Sequence, residues 1–423
     1  MDQEKDFEYF NTLMVHSVGN RVGPIAPAIT PSAAFGYENA EEAEGIFSGS
    51  VAKPLYARVG NPTNGKLEAI VAKMEGGEGA IANSSGMGAI SMVCMAILNS
   101  GDELLCIGGF FGGTYSLVKE TMARFGIKNS FCEVDDFAHI EERLKSGIKI
   151  VLMESVGNPS LRLPDIKRIS ELCKVYDTLL VIDNTATPML LRPFDLGADI
   201  SVHSSTKNIS GHSAALGGVA VFRSVNPEGD KLLHPKYADL HKFVKKAGKK
   251  AFMPIFKKRA IRDFGMTANA FGSFMTMVGL ETLALRVERV NQNVEKVSAI
   301  LDEKLPDGIT VNHPSIPSNP DYERYQSDFE KGCGPLLTLD CSTRERAYTL
   351  LNHLQMVIQT ANIGDNRTLA LHMTSTIFSD FDEEAKQFLG VHEGLIRVSI
   401  GIEDPNVIAE DFLQAAVIAV QGE

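Results

Sequence analysis

Between residues 62 and 270, short apolar runs alternate with segments whose apolar residues recur at helical spacing. The runs Glu103–Ile107, Ile148–Glu154, Thr178–Asp183, Ile200–His203 and Gly218–Phe222 have strand length and predict strands. Between two of them, Asp165–Tyr176 puts Ile166, Ile169 and Leu172 at helical spacing. This alternation predicts a mostly parallel sheet covered by helices on both faces. Ligands of such sheets collect beyond the carboxyl ends of the strands. Glu154, Asp183 and the run Ser204 to Lys207 all fall at those ends. A helical pattern from Phe271 to about Lys304 then leads into a smaller α/β unit, with strands expected at Pro335–Leu339 and Gly394–Ile400. The first sixty residues, carrying Pro24, Pro27, Pro31 and Pro54, read as an irregular arm. The expected organisation is an arm at 1–61, a large α/β domain at 62–270 and a C-terminal domain at 271–423.

Composition narrows the function classes. A chain of 423 residues with 44% apolar and 22% charged residues is long enough for a large core and ordinary in make-up. Its net charge of −12 argues against a nucleic-acid surface. No run of eighteen apolar residues predicts a membrane span. The acidic start Met1–Asp6 does not resemble a secretory leader, so a cytoplasmic protein is expected. Cys94, Cys106, Cys132, Cys173, Cys333 and Cys341 are scattered without a C-x-x-C and read as free thiols. No His/Cys cluster has metal-ligand spacing, and no metal is expected.

The chemistry is carried by Ser204-Ser205-Thr206-Lys207 and, twenty-four residues before the lysine, by Asp183 at the end of an apolar run. One strand ending in an aspartate and another ending in hydroxyls and a lysine suit pyridoxal 5'-phosphate (PLP). The lysine forms a Schiff base with the aldehyde, and the acid keeps the pyridine nitrogen protonated so that the ring is an electron sink. The hydroxyls of Ser204 and Thr206 help hold the phosphate. A solvated loop lysine is the plain alternative for this motif alone.

Other segments point the same way. Ser84-Ser85-Gly86-Met87-Gly88-Ala89 precedes an apolar helical run, and small residues at a helix start let backbone N–H groups approach an anion. Tyr56 and Arg58 pair an aromatic with a phosphate-matching guanidinium. Asn158, in the turn after Glu154, is placed to hydrogen-bond a cofactor or a substrate carboxylate, although Asn-Pro also makes turns for its own sake. Arg397 lies within the strand-like Leu395–Ile400. A cation there is costly to bury unpaired, so it should enter a cleft and meet a carboxylate.

Together these segments resemble the Cys/Met-metabolism family of PLP-dependent enzymes, of fold type I, over about residues 12–420. The family pattern Tyr-x-Arg-x-Gly-Asn-Pro-Thr stands at Tyr56 to Thr63, Ser-Gly-Met-Gly-Ala at 85–89, and Ser-x-Thr-Lys at 204–207. Within the family the chain looks most like the O-acetylhomoserine sulfhydrylases, through the insertion before Gly279–Leu283 and the run Ala361–Asp365. The resemblance implies a PLP transferase that replaces the γ-substituent of an O-acyl-homoserine with sulfur, in methionine biosynthesis. It implies Lys207 as Schiff-base lysine and proton shuttle, Asp183 at the pyridinium, and Ser85, Gly86, Met87, Ser204 and Thr206 at the phosphate. It further implies Asn158, Arg397 and Asn362 at the substrate carboxylate. Tyr56 and Arg58 would reach the phosphate of a neighbouring subunit, in a homodimer paired into a tetramer. Cystathionine γ-synthase and a γ-lyase on methionine or cystathionine are the neighbouring activities. A cofactor-binding scaffold is the alternative outside enzymes.

Two departures from the family stand out. Phe111 occupies the place of the tyrosine that stacks on the cofactor, which keeps the ring and removes the hydroxyl. That hydroxyl assists departure of the γ-substituent, so its loss favours a leaving group that needs little protonation. Carboxylic acids titrate near ~4 and thiols near ~8.5, which favours an acyl ester over a thioether. Tyr115 is a candidate stand-in. The second departure, Met373 after His372 where proline is usual, is expected to reshape the pocket near Arg397. Finally, residues 242–262 hold nine Lys/Arg and no acid. They read as a solvated basic surface, or as a docking surface for an acidic sulfur-carrier protein that replaces free sulfide as donor.

Overall fold

The computed structural model of the protein describes residues 7–421. Met1–Asp6, on which the leader expectation rests, lies outside the described residues. The larger sheet has strands β1 (Gly79–Asn83), β2 (Glu103–Ile107), β3 (Lys128–Cys132), β4 (Ile150–Glu154), β5 (Leu179–Asp183), β6 (Ile200–His203) and β7 (Gly218–Phe222). Their order is β1-β7-β6-β5-β4-β2-β3. The five strands from β6 to β3 are parallel, and β7 runs antiparallel to both β6 and β1. The α/β class and the mostly parallel sheet are therefore as the periodicity predicts.

Alternation along each strand builds two separate cores. Leu104, Leu152, Val181 and Val202 face the helix Gly86–Ile97. Leu105, Val151, Met153 and Ile182 face the opposite side with the helices Phe137–Lys145 and Ile166–Val175. Burial on both faces explains why β4 is apolar nearly throughout and ends abruptly at a carboxylate. β1 and β3 carry no strong apolar run. β1 is built largely from small residues, and β3 is a polar strand at the sheet edge.

The second, smaller sheet has β8 (Thr310–Asn312), β9 (Leu336–Asp340), β10 (Ile358–Gln359), β11 (Leu369–His372) and β12 (Leu395–Ser399), in the order β10-β11-β12-β9-β8. Its core packs against the helices Leu283–Lys304 and Pro405–Gln421. The helical pattern 271–304 is not one helix. Ala270–Leu280 and Leu283–Lys304 meet at 62°. A Cβ on Gly279 would stand 2.3 Å from the Ser210 carbonyl oxygen, so the first helix ends pressed on the loop after Lys207. Arg286 closes the corner, donating to the carbonyls of Gly279 (2.7 Å) and Asn208 (2.7 Å).

The arm is also more ordered than its prolines suggest. Phe7–Val18 is a helix that buries Phe10, Met14 and Val18 against Leu67 and Leu283. Ala40–Ser48 is a second helix, capped by Asn39 and ended at Gly49, which has φ +83°. Among the described residues no single helix is long and apolar enough to cross a membrane.

Candidate active site

The register of the large sheet sets Glu154 beside Asp183 at the carboxyl ends of β4 and β5. The loop after β6 carries Ser204 to Lys207 to the same edge, and the start of the helix Gly86–Ile97 meets it there. A cavity of about 210 Å³ opens between them. Ser85, Gly86, Met87, Phe111 and Asn158 line it, together with Asp183, Ser204, Thr206, Lys207 and Arg397.

Ser85 caps the helix, its hydroxyl accepting from Gly88 N at 3.0 Å. The helix start offers backbone N–H groups and the positive end of a dipole to an anion. Only glycine permits this approach at two positions. A Cβ on Gly86 would stand 2.6 Å from Ser204 Cβ, and one on Gly218 would stand 2.1 Å from the Ser85 carbonyl oxygen. Thr206 is held in the loop by Gly217, its hydroxyl donating to the carbonyl (3.1 Å) and accepting from the N–H (3.0 Å).

Asp183 accepts from the hydroxyl of Thr185 at 2.5 Å and from its N–H at 3.0 Å. The same hydroxyl accepts from Ser204 N at 2.8 Å, so one threonine joins the acid to the lysine loop. Burial pushes the Asp183 carboxyl up, against the hydrogen bonds from Thr185 and the charge of His203. Lys207 Nζ donates to Asn362 Oδ1 at 2.6 Å. Burial, then the positive field of Arg397, lowers its amine to about 8.

Arg397 is 2% exposed. Nη1 donates to Asn158 Oδ1 at 3.1 Å and Nη2 to the Asn362 carbonyl at 3.4 Å. Among the described residues no carboxylate stands within ion-pair distance of it. Burial lowers it to about 10, opposed by the charge of Glu154. Glu154 is the site residue that the motifs leave without a role. Its carboxylate accepts from Phe111 N (2.8 Å) and Asn158 N (3.0 Å), tying the Phe111 loop and the turn at Asn158 to one group. Burial and the neighbouring Asp183 push it well above the carboxylate range.

Two expectations change. Tyr115 is no stand-in for the missing hydroxyl, because it does not line the cavity. Its ring packs on Phe131 (4.8 Å between centroids) and Phe381 (5.6 Å), and its hydroxyl accepts from Lys119 Nζ at 2.8 Å. Helical geometry turns a residue four positions after Phe111 into the core. His372 and Met373 also stand off the cavity. His372 bonds Ser375 Oγ (2.7 Å) and the Glu393 carbonyl (2.8 Å), and Met373 is fully buried. Tyr56 and Arg58 lie outside this chain's own cavity, with Tyr56 44% exposed and Arg58 donating to the Arg262 carbonyl. In the basic segment Arg259 pairs with Asp239 (2.8 Å) and Arg262 with Asp263 (2.7 Å), while Lys245, Lys246, Lys249 and Lys250 are exposed.

The fold is that of the fold type I PLP-dependent enzymes. The description "Cys/Met metabolism PLP-dependent enzyme" matches residues 11–417, and the chain belongs to that family. Homocysteine synthase of Schizosaccharomyces pombe is 32% identical, over 97% of this chain and 99% of the relative. L-methionine gamma-lyase of Treponema denticola is 30% identical, over 96% of each chain. A Campylobacter jejuni structure described as an O-acetylhomoserine (thiol)-lyase superposes with a TM-score of 0.89 at 30% identity, covering 96% of this chain and 99% of its own. It carries N'-pyridoxyl-lysine-5'-monophosphate.

The residues present fit PLP. The glycine-cleared helix start suits the phosphate, the half-buried Asp183 suits a protonated ring nitrogen, and Phe111 supplies an aromatic wall. The lysine amine is in the same cavity.

Proposed function

We propose that the protein replaces the acyl group of O-acetylhomoserine with a sulfur nucleophile, giving homocysteine and acetate in methionine biosynthesis. The observation that carries this reading is the wall made by Phe111, with the Tyr115 hydroxyl turned into the core. A tyrosine at either place in the cavity would offer a proton to a departing thiolate. Acetate departs without one.

Bound PLP supplies the electron sink for charge developed at Cα. Asp183 holds the proton on the ring nitrogen. Lys207 Nζ takes the Cα proton, and an amine lowered to about 8 is a competent base near neutral pH. Arg397 binds the substrate carboxylate, oriented by Asn158 and the Asn362 carbonyl. Burial of these donors excludes water and strengthens their grip on charge. Ser85, Gly86, Met87, Ser204 and Thr206 hold the phosphate.

The working unit in this reading is a homodimer, paired into a tetramer, with Tyr56 and Arg58 reaching the neighbouring subunit's phosphate. Exposed Phe264, in the segment that Arg58 contacts, supports a covered surface there. The sulfur donor is sulfide, or a carrier protein docked on the basic segment. The arm, large domain and C-terminal domain of the sequence reading serve as its parts, in a cytoplasmic enzyme.

A second reading, γ-elimination from methionine, is favoured by the likeness to the Treponema gamma-lyase. One assay separates the two. PLP-loaded protein is mixed with O-acetylhomoserine, with and without sulfide, and with methionine, while homocysteine and 2-oxobutyrate are measured together. Homocysteine that depends on sulfide supports the proposal. 2-Oxobutyrate from methionine, with no homocysteine from the ester, overturns it.

A further inference from the structure

Lys207 does not reach into the cavity alone. Its amine donates to Asn362 Oδ1 at 2.6 Å, and Asn362 Nδ2 donates to Ser213 Oγ at 2.8 Å. Ser213 Oγ donates in turn to Asp365 Oδ2 at 2.5 Å. Asp365 is 3% exposed and is clamped by Arg367, from Nε at 2.6 Å and Nη2 at 3.0 Å. Four groups from two loops, about 150 residues apart in the chain, thus form one line of hydrogen bonds ending on the lysine.

The order of donors has a physical consequence. An amide can present either its oxygen or its nitrogen to a neighbour. Ser213 gives its only proton to Asp365, so toward Asn362 it can only accept. Asn362 must therefore turn its N–H toward Ser213 and its carbonyl oxygen toward Lys207. Ser213 itself sits at φ +53°, a conformation rarely taken by a residue other than glycine or asparagine. Gly364 is packed on the same turn, where a Cβ would stand 2.6 Å from Asn208 N. The backbone of both loops is thus shaped around this line.

We propose that Asp365 and Ser213 are positioning residues that orient the Asn362 amide so that it holds the Lys207 amine whenever that amine is not bonded to the cofactor. A lysine has a four-carbon stem with about 2 kcal/mol of rotamer entropy. One fixed acceptor restrains the nitrogen at the wall of the cavity that would receive the aldehyde. Capture then forms the C=N bond, breaks the C=O bond and releases one water.

The test needs PLP alone and no amino-acid substrate, so its failure is separable from failure of the proposed reaction. Apoprotein is mixed with saturating PLP, and the appearance of Schiff-base absorbance is followed by stopped flow. The proteins are the wild type, Ser213→Gly, Asn362→Ala and the double variant. Glycine suits the positive φ, which keeps the backbone of Ser213→Gly at ease. Each single variant should slow capture about tenfold, the size of one lost hydrogen bond. The double variant should be no slower than Asn362→Ala, because both changes break the same line. PLP affinity should stay within about threefold throughout. An unchanged or faster capture rate in either single variant overturns the proposal. So does a double variant whose slowing is the product of the singles, or a loss of PLP affinity that parallels the rates.

Discussion

Arg397 Nη1 donates to Asn158 Oδ1 at 3.1 Å across 239 positions of sequence, joining the middle strand of the small sheet to the turn after β4. This bond brings the two sheets to a common cavity. It also leaves a buried guanidinium with amide partners and, among the described residues, no ion-paired carboxylate. A substrate carboxylate would complete that set, with the amides already fixing its plane.

Replacing Arg397 by lysine should therefore not be conservative. A point charge on a flexible stem cannot match a carboxylate with two parallel donors or keep the bond to Asn158. Arg397→Lys should lower kcat/KM for O-acetylhomoserine at least about a hundredfold, an effect of ~3 kcal/mol, mostly through KM. Steady-state kinetics with sulfide checks it.

Restoring the hydroxyl at Phe111 should shift the balance toward elimination. Phe111→Tyr adds an acid where a thiolate would depart, and a positioned acid contributes on the order of a hundredfold or more. Release of 2-oxobutyrate from methionine should rise at least about tenfold, with turnover of O-acetylhomoserine changed less than about threefold. Unchanged elimination from methionine would show that another feature decides the leaving group.

Lys207 should make the apoprotein less stable at neutral than at alkaline pH. Its amine lies near 8 when folded, against an ordinary value of 10.5. The unfolded chain therefore binds more protons between those values, and stability rises with pH across that window. Below it the penalty is fully present, at about 3 kcal/mol. Lys207→Met should stabilise the apoprotein by about that amount at pH 7, with the gain gone near pH 10.5. Urea denaturation at several pH values measures it. Lys236, also lowered to about 8 by burial, cancels in the comparison of the two proteins.

The phosphate cup should tolerate no added carbon. The Cβ of Gly218→Ala would lie 2.1 Å from the Ser85 carbonyl, so the helix start or β7 must move. Overpacking of this kind costs roughly 1–3 kcal/mol. PLP should bind about tenfold or more weakly, with the thermal midpoint lowered by less than ten degrees. Fluorescence titration of the apoprotein with PLP reads the first, and a thermal melt the second.

Much of this architecture is legible in the chain itself. Local patterns mark β2, β4, β5, β6 and β7, because strands buried on both faces are apolar nearly throughout, and β4 and β5 stop at a carboxylate. The same stops point to Asp183 and Lys207, since chemistry in such sheets lies at strand ends. Polar or small-residue strands such as β3 and β1 leave no comparable trace, because their place depends on neighbours in the sheet. The corner between Leu280 and Leu283 was hidden for a similar reason. Its cause is Gly279 against Ser210 and Arg286 on Asn208, contacts with a distant loop.

The sequence by itself determined the class of fold, the cofactor chemistry and the residues that could serve it, because each is written in a local run of side-chain types. Only the tertiary structure decided what those residues face. It turned Tyr115 into the core, gave Glu154 two loops to hold, and put Asp365 and Ser213 behind the amide that meets Lys207. A hydrogen bond reaches about 3 Å in space and takes no account of separation along the chain.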